Sequence, residues 1–145
     1  MGFTCFECNE FYESKDNLYL CEKCNGNLRI EYDYKKIQKQ VTRKYFENSK
    51  QHCIWRYEHL LPVKPEYKIS TVGCTPFHKT EELGSLLGLK SLYIKDDSRN
   101  PSLSFKDRAS IIALKNAIES KAKVVVGAST GNAGSSTACL AATLK

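Results

Sequence analysis

Two Cys-x-x-Cys pairs, Cys5-Phe6-Glu7-Cys8 and Cys21-Glu22-Lys23-Cys24, constrain residues 1–30 more than any other feature of the sequence. A segment this short cannot bury a core of its own and needs a staple. Two such pairs, twelve residues apart, can bring four sulfurs to the corners of a tetrahedron, the arrangement Zn²⁺ takes with Zn–S bonds of about 2.3 Å. A closed site of four thiolates has no open position, so the metal is structural and a poor catalyst. Its binding supplies on the order of 10 kcal/mol of folding free energy. Iron in a rubredoxin-like site is the competing metal, and a pair of disulfides the competing covalent reading. Gly26 fits the tight turn of a metal knuckle after the second pair; Glu10 stands at the matching place after the first. Cys53, Cys74 and Cys139 lack ligand spacing and read as small apolar residues, with Cys139 on a buried helix face.

The start of the chain lacks the basic and apolar regions of a signal peptide. Cytoplasm is therefore the expected compartment, and seven cysteines in a reducing compartment favour metal over disulfides. No apolar run is long enough to span a membrane, so no membrane partner is expected. The net charge of +6 is spread unevenly: residues 1–30 are net acidic and the rest net basic. The excess can draw in phosphorylated metabolites. Without a dense Lys/Arg run, and with an acidic cysteine segment, nucleic acid is not an expected partner.

The pattern divides the 145 residues into a zinc-ribbon-like module (1–30), a connector (31–70) and the start of a larger domain (71–145). In the module, residues 18–20 and 28–30 read as short strands. The connector reads as a polar, lysine-rich helical stretch over 34–51. An apolar patch of Trp55, Tyr57, Leu60 and Leu61 follows, broken by Pro62 and Pro65. It is expected to drape over the next domain. From Thr71 the expected order is a helix over 81–87 ended near Gly88, a strand over 91–95 and a helix over 104–120. A strand over 123–127 and a helix over 132–144 complete it. Ser104, with Asp107 three residues on, reads as a variant capping box. Helix 104–120 carries two apolar stripes, Ala109/Ile112/Ala113/Ala117 and Ile111/Leu114/Ile118, and so is packed on several sides. The run Lys-Val-Val-Val-Gly at 123–127 reads as a strand buried on both faces. Alternating strands and helices imply α/β architecture with parallel strands and crossover helices.

Two positions carry chemistry in this larger domain. Lys106 follows a proline-containing loop and falls in the first turn of an apolar helix. The positive end of a helix disfavours an ammonium there, and only the neutral amine attacks an aldehyde. Beside Asp107, the same lysine also reads as a plain surface residue. Ala128-Ser129-Thr130-Gly131-Asn132-Ala133-Gly134 opens the last helix. Free backbone N–H groups at a helix start hold anions, and the same residues also serve as an ordinary helix cap.

Ser104-Phe105-Lys106-Asp107-Arg108 followed by Ser129-Thr130-Gly131-Asn132 resembles the signature of fold-type II pyridoxal-phosphate (PLP) enzymes, threonine synthases in particular. Gly73-Cys74-Thr75-Pro76 and Leu92-Tyr93-Ile94-Lys95-Asp96-Asp97 extend the likeness, as do the four-cysteine segment, the stretch Glu31-Tyr32-Asp33-Tyr34 and the stretch from Trp55 to Pro62. The resemblance implies that Lys106 forms the Schiff base with PLP and shuttles protons. It implies that Asn132 binds the cofactor's phenolic oxygen, and that Ser129, Thr130, Asn132 and Ala133 hold the substrate carboxylate. The implied reaction turns O-phospho-L-homoserine and water into L-threonine and phosphate, and the implied full-length assembly is a homodimer. Threonine dehydratase and cysteine or cysteate synthase are the competing activities; a non-enzymatic zinc-ribbon module is the competing class. Leu103 and Ala109 stand where the family usually has glycine, and Asp97 where glutamate is frequent. The family's second glycine-rich loop, for the PLP phosphate, and its polar partner for the pyridine nitrogen have no counterpart here. The chain is therefore expected to be an incomplete enzyme, inactive alone.

Overall fold

The computed structural model describes residues 1–13, 18–69 and 71–144. Its N-terminal module is a three-stranded antiparallel sheet. Strand β1 (Gly2–Cys5) lies between β2 (Phe11–Glu13) and β3 (Leu28–Glu31), with Phe3 facing both Tyr12 and Ile30. The strand expected over 28–30 forms. The one expected over 18–20 shrinks to a single bridge between Leu20 and Asn27, because the backbone turns at once: Asn25 N donates to Cys21 O at 2.8 Å. Strands β1 and β2 are too short to show alternation in the sequence.

In the connector the expected helical stretch splits into α1 (Tyr34–Gln40) and α2 (Arg43–Asn48). Val41 and Thr42 are extended, and Thr42 Oγ1 accepts from Tyr45 N at 3.2 Å as a fresh N-cap. A 3₁₀ helix (Ile54–Leu60) follows and stops before Pro62. Trp55 is buried inside it and its Nε1 donates to Ile69 O at 2.8 Å. The connector does more than drape. Cys53, Ile54, Trp55, Val63 and Ile69 form one core with Val72, Ile111, Leu114 and Leu140. Lys64 N donates to Glu119 Oε1 at 2.9 Å, and the buried Lys115 pairs with Glu66 at 3.4 Å. Residues 70 and 145, where the expected segments end, lie outside the described residues.

The remaining elements are β4 (Phe77–Lys79), α3 (Glu81–Leu86), β5 (Tyr93–Lys95), a short 3₁₀ helix (Asp97–Arg99), α4 (Lys106–Glu119) and α5 (Asn132–Thr143). The three α-helices match their expected positions within a residue or two. Strand β4 had no signal in the sequence; it pairs antiparallel with β5, and Phe77 stacks on Tyr93 with ring centroids 4.8 Å apart. The chain is thus mixed α/β. Among the described residues every strand pairing is antiparallel, and the parallel crossover pairing is not formed. The run 123–127 joins no sheet: Val124 and Val126 are 74% and 89% exposed. A strand covered on both faces needs neighbours on both edges, and none of the described residues provides them. The same shortage shows in α5, whose only buried residues are Ser136 and Leu140. In α4, Ile111 and Leu114 enter the core. Ala109, Ile112 and Ala113 line a cleft of about 780 Å³ with Phe3 and Ile30, Ile112 also packing against the core, and Ile118 is exposed. The cysteines without ligand spacing divide: Cys53 is buried, Cys139 half-buried and Cys74 exposed, so Cys74 does not act as a core residue.

Leu103, at a position where the resemblance implies glycine, has φ +58° and a 75% exposed side chain. A left-handed backbone costs an L-residue about 1–2 kcal/mol. Glycine removes that strain but raises the entropy of the unfolded chain by roughly 0.5–1 kcal/mol. The strain is the larger effect, so Leu103→Gly should stabilise the chain by roughly 0.5–1 kcal/mol in urea unfolding. An unchanged or lower midpoint would show that Leu103 is not strained.

Candidate functional site

The four cysteines of the paired motifs converge. Their Sγ atoms all lie within 4.8 Å of one another, with Cys5–Cys24 and Cys8–Cys21 each at 3.5 Å. Sulfurs about 2.3 Å from a tetrahedral Zn²⁺ stand about 3.8 Å apart, so the cluster has the size of a zinc site and could hold a metal. Each pair is presented by a knuckle: Asn9 N donates to Cys5 O at 3.1 Å, and Asn25 N to Cys21 O at 2.8 Å. Both knuckles place an asparagine in the left-handed region, Asn9 at φ +57° and Asn25 at +58°, a conformation asparagine tolerates well. The repeat is therefore Cys-x-x-Cys-Asn in both halves. Glu10 in place of a glycine is no defect. Gly26 serves close approach instead of turning: a Cβ there would meet Glu7 Cγ at 2.6 Å and Cys5 Sγ at 3.0 Å.

Burial pushes the Cys21 thiol up, but hydrogen bonds from the Tyr12 hydroxyl, 3.2 Å away, and from the N–H groups of Lys23 and Cys24 outweigh it. Its pKa falls to about 6. The N–H of Gly26 pulls Cys24 down, yet its hydrogen-bonded neighbours Cys8 and Cys5 push it up to about 12. Clustered thiols cannot all ionise by themselves; a divalent cation makes that possible. Tyr12 was invisible as a partner of this cluster in the sequence, since nothing in Phe11-Tyr12-Glu13 points at a sulfur.

The second group of residues gathers where α4 and α5 begin. Lys106 is the first residue of α4 and is half-buried. Its Nζ lies 4.6 Å from the centroid of the Phe105 ring and forms no hydrogen bond among the described residues. Ser129, Thr130, Asn132 and Ala133 are exposed at the start of α5. Ser129 Oγ accepts from Gly134 N at 3.0 Å and Gly131 N at 3.3 Å, so it caps the helix. Gly134 makes room for it, because a Cβ there would stand 3.3 Å from Ser129 Cβ. Among the described residues, the backbone N–H groups of Asn132 and Ala133 have no partner, and both residues are exposed at a helix start, where anions bind.

The expected capping box at Ser104 is replaced by another arrangement. Ser104 Oγ does accept from Lys106 N at 3.3 Å. Asp107, fully buried, turns elsewhere. It accepts from Ser102 N at 2.7 Å, Ser102 Oγ at 2.5 Å and Ser136 Oγ at 2.5 Å. Ser136 Oγ also stands 2.8 Å from Ser110 Oγ. Arg108 forms the opposite clasp. It holds Asp97 through Nη2 at 2.7 Å and Nε at 3.1 Å, and Thr75 Oγ1 at 3.2 Å; Thr75 in turn donates to Asp97 at 2.6 Å. Lys95 Nζ donates to Thr75 O, and the buried Asn100 joins Gly73 N to Asp97 O at 2.9 Å each. The motifs around Gly73, Asp97 and Arg108 are thus one scaffold tied to the start of α4 through Arg108.

The Arg108 hydrogen bonds, helped by Thr75, hold the Asp97 carboxyl at about 2, below its ordinary value of 3.8. A depressed folded pKa gives stability that is complete above the unfolded value and is lost as pH falls through the folded one. Between about pH 4 and pH 2 the chain should lose on the order of 1–2 kcal/mol through this group. Asp97→Asn should flatten that part of the stability curve in denaturant titrations; an unchanged slope would separate the acid response from this clasp.

Residues 69–145 match the family of pyridoxal-phosphate dependent enzymes. The chain belongs to this family. Similar curated proteins include the threonine synthase of Methanocaldococcus jannaschii, 39% identical over 140 residues, covering 95% of this chain and 34% of the relative. The threonine synthase of Methanosarcina acetivorans is 38% identical over 130 residues, covering 88% and 31%. That of Halalkalibacterium halodurans is 36% identical over 88 residues, covering 59% and 25%. The chain spans about a third of the length of the first two relatives. No solved structure gives a significant match. The donor set suits the family's cofactor: among the described residues, a lysine amine without a hydrogen-bond partner for an aldehyde, and unpaired N–H groups at an exposed helix start for an anion. Among the described residues no helix is long and apolar enough to cross a membrane.

Proposed function

We propose that the chain is part of a threonine synthase, an enzyme that converts O-phospho-L-homoserine and water to L-threonine and phosphate. The likeness to two threonine synthases over 95% and 88% of the chain carries this reading. Residues 1–30 act as the structural zinc module, 31–70 as the connector, and 71–145 as the start of the catalytic domain. The expected compartment is the cytoplasm.

In this reading Lys106 would hold the cofactor through Nζ and move protons at that atom. Asn132 would donate to the cofactor's phenolic oxygen. The N–H groups of Asn132 and Ala133, with the hydroxyls of Ser129 and Thr130, orient the substrate carboxylate at the positive end of α5. Bound PLP supplies the electron sink for carbanionic centres beside the substrate nitrogen. The scaffold from Gly73 to Arg108 fixes the start of α4, which limits the positions Lys106 can reach. Zinc stays outside the chemistry, because four thiolates leave no open coordination position.

A chimera joining residues 1–145 to the unmatched C-terminal portion of the Methanocaldococcus jannaschii relative tests the function. It should release phosphate from O-phospho-L-homoserine and form threonine, while residues 1–145 alone should give no turnover. A chimera that binds PLP but dehydrates threonine, or makes cysteine or cysteate, would assign one of the competing activities instead.

A further inference from the structure

We propose that Asp107 is a positioning residue for Lys106: it locks the first turn of α4 to α5 through Ser136 and so fixes where the Lys106 amine can reach. The inference rests on the reading of Lys106 as the cofactor lysine and deepens it.

Asp107 is a fully buried carboxylate that the proposed chemistry does not use. Its three hydrogen bonds go to two places. Ser102 belongs to the loop that leads into Lys106, and Ser136 belongs to α5, one helical turn beyond Asn132. Ser136 is itself fully buried. The bond to Ser136, continued to Ser110 at 2.8 Å, sets α4 and α5 side by side with their starting turns together. Residues at the two helix starts therefore share one register: Lys106 immediately before Asp107, and Asn132 four residues before Ser136. A carboxylate suits the position because every group facing it is a donor. An amide would direct N–H groups at one of those donors and break the set.

The exposed surface around this lock makes the bond matter more. Ser129, Thr130, Asn132 and Ala133 have no buried side chain that pins them to α4. The nearest links between the two helices are the contacts of Ser136 and Thr137 with Asp107 and Ser110. Loss of a positioning contact that shifts reacting groups by about 1 Å costs on the order of 10²-fold in rate.

The test uses the whole chain with added PLP. Borohydride reduction and peptide mapping follow, and the yield of the reduced adduct on Lys106 is read against that on the exposed Lys121. Folding is checked in parallel by circular dichroism and urea unfolding. Asp107→Asn should lower the Lys106 yield by about tenfold or more, and Ser136→Ala by a smaller factor in the same direction. Ile69→Val, a core change outside α4 and α5, serves as the stability control and should leave the yield within about twofold. If Asp107→Asn and Ser136→Ala keep the wild-type yield, or lose it only in step with stability as Ile69→Val does, the positioning role is overturned. If the wild-type chain itself never labels Lys106 above Lys121, the failure belongs to the reading of Lys106, and the positioning role falls with it.

Discussion

Chelating the metal from a zinc-loaded chain should unfold the β1–β3 module while leaving the Trp55 core in place. The module has little else to hold it. Among its described residues only Gly2, Cys5 and Cys21 are buried, and its three strands are three or four residues long. Structural zinc in such modules supplies roughly 10–16 kcal/mol of apparent binding free energy, more than a sheet of this size gains from packing. Trp55 belongs to the other core, with Ile69, Val72, Ile111 and Leu140. Its fluorescence should therefore change little when the amide protons of residues 2–5 lose their protection. Replacing Cys8 and Cys21 together by serine should have the same effect as chelation, because the diagonal pair at 3.5 Å is removed. Full amide protection in β1 without metal would show that the cluster is not what holds the module.

Lys106→Ala should reduce turnover of the chimera by about 10³-fold or more, since both bonding of the cofactor and proton movement are lost from one side chain. Lys106→Arg should not rescue it. The guanidinium keeps its proton, which leaves no free amine for the aldehyde. Both variants should fold as the parent does, because Lys106 Nζ makes no hydrogen bond among the described residues and stands 4.6 Å from the centroid of the neighbouring Phe105 ring. Steady-state phosphate release, with unfolding midpoints measured beside it, separates the two effects. A variant with normal turnover would remove Lys106 from the chemistry.

Much of this was legible in the residues, and what was not has identifiable causes. The cysteine cluster was readable because ligand spacing is a local property; the convergence of all four sulfurs follows from it. The helices starting at Lys106 and Asn132 were readable from their lengths and apolar content. The run 123–127 misled, because an uninterrupted β-branched sequence reports what a segment needs around it and not whether those neighbours are in contact with it. Strand β4 was missed because three residues, Phe77-His78-Lys79, carry too little pattern. Asp107 was assigned to Ser104 by local spacing, whereas the buried carboxylate is satisfied by Ser102 and, across the fold, by Ser136. The clasp of Thr75, Asp97 and Arg108 also spans distant positions. Such long-range pairings leave no periodic trace in one sequence, although the residues themselves stand within the motifs that resemble the family.

The central claim is that Lys106 is the residue that bonds PLP. The direct measurement is borohydride reduction of the PLP-treated chain followed by peptide mapping. The account predicts an absorbance band shifted from that of free PLP and a reduced adduct concentrated on Lys106. Labelling spread evenly over the exposed lysines, with Lys106 no more modified than Lys121 or Lys123, would contradict it.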